Sequence, residues 1–199
     1  MGHTVLAVPV PALDAVIRER TAAYDASFLS TDPDFIHAHI TVLAPWANQP
    51  TAADLAHVER IAQAVGPFTT RLSRISEFPD GIIHLRPEPD RQLRVLASRL
   101  AMAFPQFPPY GGRYNDAVPH LTLDRRSASV TPATVRASIG HLLPLTITVD
   151  RIDLQWWANH GCERLHTWQL GPAGAQAAAP RSPDPLPAPA RPVRLLPPT

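Results

Sequence analysis

Lysine is absent from this 199-residue chain, so all 18 of its basic side chains are arginine. The absence excludes reactions that require a lysine side chain: a Schiff base, a covalent lysyl-nucleotide intermediate and the phosphate-binding lysine of a P-loop. A formal net charge of +1 is too small to favour binding of a long nucleic acid by electrostatic attraction. Among nucleic acids, small nucleotides and RNA ends therefore remain as candidate ligands.

Cysteine and long apolar runs are scarce as well. Cys162 is the only cysteine, which excludes an intrachain disulfide and a cluster of thiolate metal ligands. No apolar run approaches the length that crosses a membrane, and the sequence MGHTVLAVPVP lacks the basic start and long apolar stretch of a secretion signal. We therefore expect a cytoplasmic monomer with no membrane contact and no obligate protein partner.

The last part of the chain lacks aromatic residues. Residues 171–199 are rich in proline and alanine, and such a composition cannot bury enough apolar surface to offset the entropy lost on ordering. We therefore predict one folded domain over residues 1–170, followed by a disordered Pro/Ala-rich tail over residues 171–199.

Hydrophobic periodicity predicts that helices and strands alternate along the folded part. Strands are predicted at residues 3–10, 36–44, 68–78, 82–86, 145–157 and 164–170. Helices are predicted at residues 11–24, 51–65, from 89 onwards and at 131–139. Thr51 is the candidate N-cap of the second helix. The candidate core residues of the third helix are Leu93, Leu96, Leu100 and Met102.

Two short strings echo each other: HITV at residues 39–42 and HLTL at residues 120–123. Side chains in a β-strand alternate between its faces, so each string places a histidine beside a threonine on one face and apolar residues on the other. Two such strands facing each other supply a pair of imidazoles, as an acid/base reaction at a phosphate requires. We predict an α+β fold of two pseudo-symmetric αβ lobes, with antiparallel sheets around a central groove that carries both HxTx motifs.

The two motifs lie 81 residues apart and resemble the signature of the two-histidine (2H) phosphoesterase superfamily, which includes 2′-5′ RNA ligases and cyclic nucleotide phosphodiesterases. Pro119 and Arg125 match the PH[IVL]TL-x-R form that is common in that family. The resemblance covers residues 3–170, and the strings HITVLAPW and FPPYGGRYNDAVPHLTL are more similar to a divergent bacterial branch than to the ligases. It implies hydrolysis of 2′,3′-cyclic or related phosphodiester bonds in small nucleotides or at RNA ends, without a metal or cofactor. Some members also perform reversible 2′-5′ ligation.

Carried onto this chain, the resemblance makes His39 and His120 the catalytic pair. It makes Thr41 and Thr122 the hydrogen-bond donors to the phosphate oxygens. One imidazole would take a proton from water while the other gives a proton to the departing ribose oxygen. An ordinary histidine pKa near 6.5 makes both protonation states available around neutral pH. The sequence does not say which histidine is the acid and which is the base.

Three further residues are candidates for substrate binding. Tyr110 and Arg113 lie in a Gly-Gly loop just before the second motif, a place suited to a mobile cover over a nucleotide. The alternative is that Tyr110 packs and Arg113 is solvated. Arg125 either reaches a phosphate or pairs with its neighbour Asp124. A base could also stack on a tryptophan, although an aromatic residue in a strand is more often in the core; the candidates are Trp46, Trp156 and Trp157.

Two other functions stay open at this point. A zinc hydrolase could use His37, His39 and His120 as ligands, since His37 and His39 are two residues apart, but it would leave the paired threonines without a role. A non-catalytic module that binds a nucleotide or an RNA end is the second, because a fold can outlast its activity. The remaining histidines lie outside the repeated pattern and are expected at the surface or in structural roles: His3, His57, His84, His141, His160 and His166.

Overall fold

Residues 2–113 and 118–172 are described by a computed structural model of the protein. The elements up to the middle of the chain are β1 (His3–Pro9), α1 (Asp14–Asp25), β2 (His39–Leu43), α2 (Ala52–Gln63), β3 (Phe68–Glu77) and β4 (Ile82–Glu88). Those that follow are α3 (Arg91–Ala103), β5 (Leu121–Arg125), α4 (Pro132–Ile139), β6 (Leu145–Val149), β7 (Arg151–Trp157) and β8 (Glu163–Gln169). Helices and strands alternate much as the hydrophobic periodicity predicts.

The strands form one antiparallel sheet in the order β6-β3-β4-β5-β2-β1-β7-β8. Its two four-stranded halves meet at the β5–β2 pair, where a single register pair, Ile40 with Leu121, joins them. The two-lobed α+β fold is therefore confirmed, and each lobe contributes one motif strand to the middle of the sheet. The motif strands lie side by side in this sheet rather than on separate sheets.

Helices lie on both sides of the sheet: α1 faces the motif histidines and threonines, whereas α2 and α3 pack against the apolar side. Helix α3 packs against β2, whereas α1 contacts β5. The apolar residues of the two motifs are buried in this core, as the strand period predicts. Thr51 and Thr131 begin α2 and α4 with capping boxes, in which each side chain accepts a hydrogen bond from the backbone N–H three residues on.

Three sequence predictions differ from the structure. Residues 145–157 form two strands rather than one, because β6 pairs with β3 and β7 pairs with β1 in the other lobe. Met102 is 77% exposed, since it lies two positions beyond the buried Leu100 and thus on the opposite side of α3. Strand β2 begins at residue 39 rather than 36, because the N–H groups of His37 and Ala38 donate to the Asp14 carboxylate instead of a strand partner.

The described part ends soon after β8. The N–H of Gly171 donates to the carbonyl oxygens of Ala62 and Val65 at 3.1 and 2.9 Å, so the chain finishes against the end of α2. The tail predicted over residues 171–199 lies outside the described residues apart from Gly171 and Pro172. Within the described residues, no helix has the length and apolar character needed to cross a membrane.

Candidate active site

The motif strands present their histidines and threonines to one cavity. A cavity of about 420 Å³ is bordered by His39, Thr41, His120 and Thr122, and on its other side by residues of α1. The intervening Ile40 and Leu121 are fully buried on the opposite face. The structure therefore brings together the four residues that the repeated motif singles out.

The two motif histidines are held in the same way. Nδ1 of His39 lies 2.7 Å from the carbonyl oxygen of His37, and Nδ1 of His120 lies 2.8 Å from that of Val118. A carbonyl oxygen can only accept, so each Nδ1 carries the hydrogen and donates it. In the neutral ring Nε2 is then the basic nitrogen. Both imidazoles thus have the same tautomer, fixed by the residue two positions earlier.

Burial lowers the pKa of both imidazoles, but to different degrees. The pKa of His39 falls to about 4, chiefly through burial and further through the nearby His120, against the opposing effect of the His37 carbonyl. Burial also lowers the pKa of His120, while the Val118 carbonyl and the Asp80 carboxylate act to raise it. His39 is therefore the imidazole that stays unprotonated more firmly.

The surroundings of His39 include aromatic rings that the sequence only partly indicates. Trp157 borders the cavity with its ring centroid 5.4 Å from that of His39, whereas Trp46 is 2% exposed in the core. Trp156 is half-buried and does not border the cavity. Among the three tryptophans, only Trp157 is thus placed to contact a ligand beside His39.

His37 is a structural residue rather than a partner of His39 in a metal site. It is 1% exposed, its Nε2 accepts the backbone N–H of Ser30 at 3.1 Å, and Arg18 lies 3.4 Å from its Nδ1. No group of three His, Cys, Asp or Glu side chains within residues 2–113 and 118–172 is arranged to hold a metal ion. The zinc set of His37, His39 and His120 is therefore not formed.

The loop before the second motif brings one of its two candidate residues to the site. Tyr110 has a φ of 53°, and its N–H donates to the carbonyl oxygen of Ala44 at 2.7 Å. Its ring lies 6.3 Å from that of His120 at an angle of only 24°. Arg113 is exposed and does not border the cavity. Tyr110 does not border the cavity either, but of the two residues only Tyr110 lies near a motif histidine.

Arg125 borders the cavity, and the alternative of an Arg125–Asp124 side-chain pair is not formed in the described residues. The Asp124 carboxylate accepts from the Tyr24 hydroxyl at 2.6 Å and lies 3.5 Å from Nε of Arg20. The backbone N–H of Arg125, not its guanidinium, donates to Asp124. The charge of Asp124 is thus matched by Arg20 of α1, and Arg125 is among the residues that border the cavity.

Sequence reasoning missed the contributions of α1 and of the Phe78–His84 pair. Arg20, Thr21 and Tyr24 of α1 border the cavity. The rings of Phe78 and His84 stack at 3.8 Å, and each also contacts the His120 ring. The only signal for His84 in the sequence was its place in the apolar string IIHL. A strand that is buried on both faces is usually apolar throughout, so a histidine there is unusual.

Solved structures of similar fold cover nearly the whole folded part. TT0787 of Thermus thermophilus has a TM-score of 0.54 and 19% identity, covering 86% of this chain and 99% of that one. LigT of E. coli complexed with 3'-AMP has a TM-score of 0.52 and 19% identity, covering 84% and 97%. A crystal structure described as a phosphoesterase has a TM-score of 0.51 and 18% identity, covering 85% and 98%. These similarities support the two-lobed fold.

Sequence comparison is more specific about the family. No curated protein matches the chain. The family model described as the 2'-5' RNA ligase superfamily, in contrast, matches residues 9–161, a range that contains both motifs and every strand except β8 and most of β1. This match confirms the resemblance that the paired motifs carry. The chain belongs to the 2'-5' RNA ligase superfamily.

Proposed function

We propose that this protein is a metal-independent phosphodiesterase that hydrolyses 2′,3′-cyclic or related phosphodiester bonds in small nucleotides or at RNA ends. One observation carries the proposal: His39 and His120 border the same cavity with Nδ1 held by a carbonyl oxygen, which leaves Nε2 of each ring for proton transfer. The cyclic phosphate would lie between the two rings. The LigT structure complexed with 3'-AMP supports a nucleotide as the ligand class.

The roles of the two histidines differ in this proposal. His39, with its lower pKa, is the base: Nε2 takes a proton from the water whose oxygen attacks phosphorus. His120 is the acid and gives a proton to the ribose oxygen as its bond to phosphorus breaks. The anionic phosphate favours the protonated form of His120, as Asp80 does. In ligation, a ribose hydroxyl would replace water as the attacking group, with the same two proton transfers.

Other polar groups bind the substrate. The hydroxyls of Thr41 and Thr122 donate to the non-bridging phosphate oxygens as charge develops on them. Arg125 is one of the residues that border the cavity, and its guanidinium is the candidate cation for a phosphate group of the substrate. Tyr110 covers the ligand next to His120, and Arg113 contacts the part of a longer RNA end that leaves the site.

Hydrolysis of a panel of 2′,3′-cyclic nucleotides and cyclic-phosphate-ended RNA tests the proposal. We expect turnover that resists a chelator and falls by about 10³-fold in both His39→Ala and His120→Ala. His141→Ala, which removes an exposed histidine, is the control and should keep the parent rate. Loss of turnover with chelator would indicate a metal-dependent enzyme. Nucleotide binding by calorimetry without turnover would indicate the binding module instead.

A further inference from the structure

A third imidazole lies next to the proposed acid without bordering the cavity. His84 on β4 is 1% exposed, and its Nδ1 lies 3.2 Å from the carbonyl oxygen of Ile82. The ring therefore has the tautomer of His39 and His120, with an unprotonated Nε2. That nitrogen is buried and has no hydrogen-bond partner among residues 2–113 and 118–172. A buried acceptor without a partner destabilises the folded protein, and a phenylalanine would fill the same space without this cost.

Three distances define where His120 lies relative to His84. The rings of Phe78 and His84 stack with centroids 3.8 Å apart, and the His120 centroid is 4.9 Å from the first and 5.4 Å from the second. A ring above or below the stack would be far from one member, so His120 lies beside both. Its plane is steeply inclined to each, at 84° and 69°. The edges of Phe78 and His84 therefore point towards His120.

Strand register shows which edge of His84 faces His120. His84 is paired with Thr122 across the antiparallel β4–β5 pair, and His120 precedes Thr122 by two residues. His120 thus lies beyond His84 in the direction away from Ile82. The Nδ1 edge of His84 is turned to the Ile82 carbonyl. The opposite edge, which carries the lone pair of Nε2, is the one on the side of His120.

We propose that His84 is a positioning residue for His120, and that the lone pair of its Nε2 stabilises the protonated form of the His120 ring. A nitrogen lone pair attracts a cation, and the attraction is strong where both groups are out of water. The unpartnered nitrogen then has a role in the step at which His120 must carry a proton. This role deepens the proposed function, because it rests on His120 acting as the acid.

The charged and titratable groups around His84 are consistent with a neutral ring. Burial lowers the pKa of His84, and the nearby His120 and Arg86 lower it further. The Ile82 carbonyl and Asp80, in the turn between β3 and β4, have the opposite effect. Asp80 also acts to raise the pKa of His120. Asp80 thus favours a proton on His120, in the same sense as the effect proposed for the neutral His84.

The test compares His84→Phe, which keeps the ring and removes both nitrogens, with His84→Gln, which restores an acceptor of similar reach. His57→Phe is the matched control: His57 likewise contacts a phenylalanine ring, that of Phe104, but lies on α2. The His120 ring is titrated by NMR in each full-length protein, with its signals assigned by their loss in His120→Ala. Thermal unfolding confirms that each variant is folded.

We expect the pKa of His120 to fall by about half a unit or more in His84→Phe, with a smaller fall in His84→Gln and none in His57→Phe. The basic limb of the kcat/KM profile on a 2′,3′-cyclic nucleotide, which reports the free enzyme, should move by the same amount, with KM little changed. An unchanged His120 pKa in a folded His84→Phe protein would overturn the proposal. Because the titration needs no substrate, it also decides the role of His84 if the parent proves inactive on every phosphodiester.

Discussion

The threonines of the two motifs are the residues whose proposed role depends most on a single atom. Thr41 and Thr122 border the cavity, while their neighbours in the strand are buried. Replacing each by valine keeps the branched shape and removes only the hydroxyl. We expect Thr41→Val and Thr122→Val each to lower kcat by about 10²-fold with KM changed much less, because the hydroxyl donates to charge that develops in the transition state. Steady-state kinetics on a 2′,3′-cyclic nucleotide measures both constants.

Thr146→Val is a control for these variants, because Thr146 is exposed on the edge strand β6 and does not border the cavity. It should keep the parent kcat and KM. A rise in KM at unchanged kcat in Thr41→Val or Thr122→Val would contradict the prediction. Such a result would mean that the hydroxyl binds the ground state as well as the transition state, and therefore does not accelerate the reaction.

Single residues also show how far the sequence predicts the site. The period of a strand is sufficient to put His39 with Thr41, and His120 with Thr122, on one face. The position of His84 next to His120 depends on the register of β4 against β5 and on an irregularity between Ile83 and His84. The pattern of β4 alone shows which of its residues share a face, but not which residue of a distant strand lies opposite each one. Residues on the motif strands were therefore predictable, whereas those on neighbouring elements were not.

At the scale of elements, α1 has few contacts with the lobe that contains β5. None of its residues is fully buried, although Val16 and Ile17 pack against the core. The Tyr24 hydroxyl donates to the buried Asp124 carboxylate on β5, 100 residues away, at 2.6 Å. A hydrogen bond to a charged group contributes about 1.5–3 kcal/mol. We infer that this bond holds the end of α1 at the cavity.

Tyr24→Phe should therefore loosen α1 selectively. We expect backbone amides near the end of α1 to exchange their hydrogens about tenfold faster or more, while amides of the central strands stay protected, because only local opening becomes easier. Hydrogen exchange followed by mass spectrometry measures both regions. Glu19→Gln is the control, because Glu19 is exposed on the same helix. Equal exchange of α1 in parent and Tyr24→Phe would show that Arg20 and packing suffice to hold it.

Elements differ in how well their limits follow from sequence. The starts of α2 and α4 were predictable, because Thr51 and Thr131 satisfy backbone N–H groups locally. The division of residues 145–157 into β6 and β7 was not, because the two strands extend different lobes and the division follows from their partners β3 and β1. Helix boundaries set by capping residues can be predicted from the local sequence, whereas strand boundaries set by pairing depend on distant strands.

At the scale of the whole molecule, the pseudo-symmetric lobes concentrate histidines that are neutral when folded. Burial lowers the pKa of four of them around the middle of the sheet, namely His37, His39, His84 and His120. An imidazole with a lowered pKa in the folded state binds a proton more readily in the unfolded chain. Stability from these residues is fully present above the ordinary pKa of 6.5 and is lost as the pH falls towards the folded pKa. These four buried histidines should thus lower the stability of the folded protein in mild acid.

His39→Gln isolates the largest of these contributions. Between pH 6.5 and 5, the free energy of unfolding of the parent should fall by up to about 2 kcal/mol more than that of the variant, because His39 has a folded pKa of about 4. Denaturant titrations at a series of pH values give both curves. Arg126 lowers the pKa of Glu77, so the stability that Glu77 contributes is lost only below its ordinary pKa of 4.5. Buried Asp153, whose raised pKa acts in the opposite sense, affects parent and variant alike.

The control is His141→Gln, which removes an exposed imidazole and should follow the parent curve at every pH. Parallel curves for the parent and His39→Gln would contradict the prediction. They would mean that the ring of His39 reaches water enough to be protonated in the folded protein as easily as in the unfolded chain. The base proposed for hydrolysis would then titrate near pH 6.5, and the acidic limb of the activity profile should lie there instead of near pH 4.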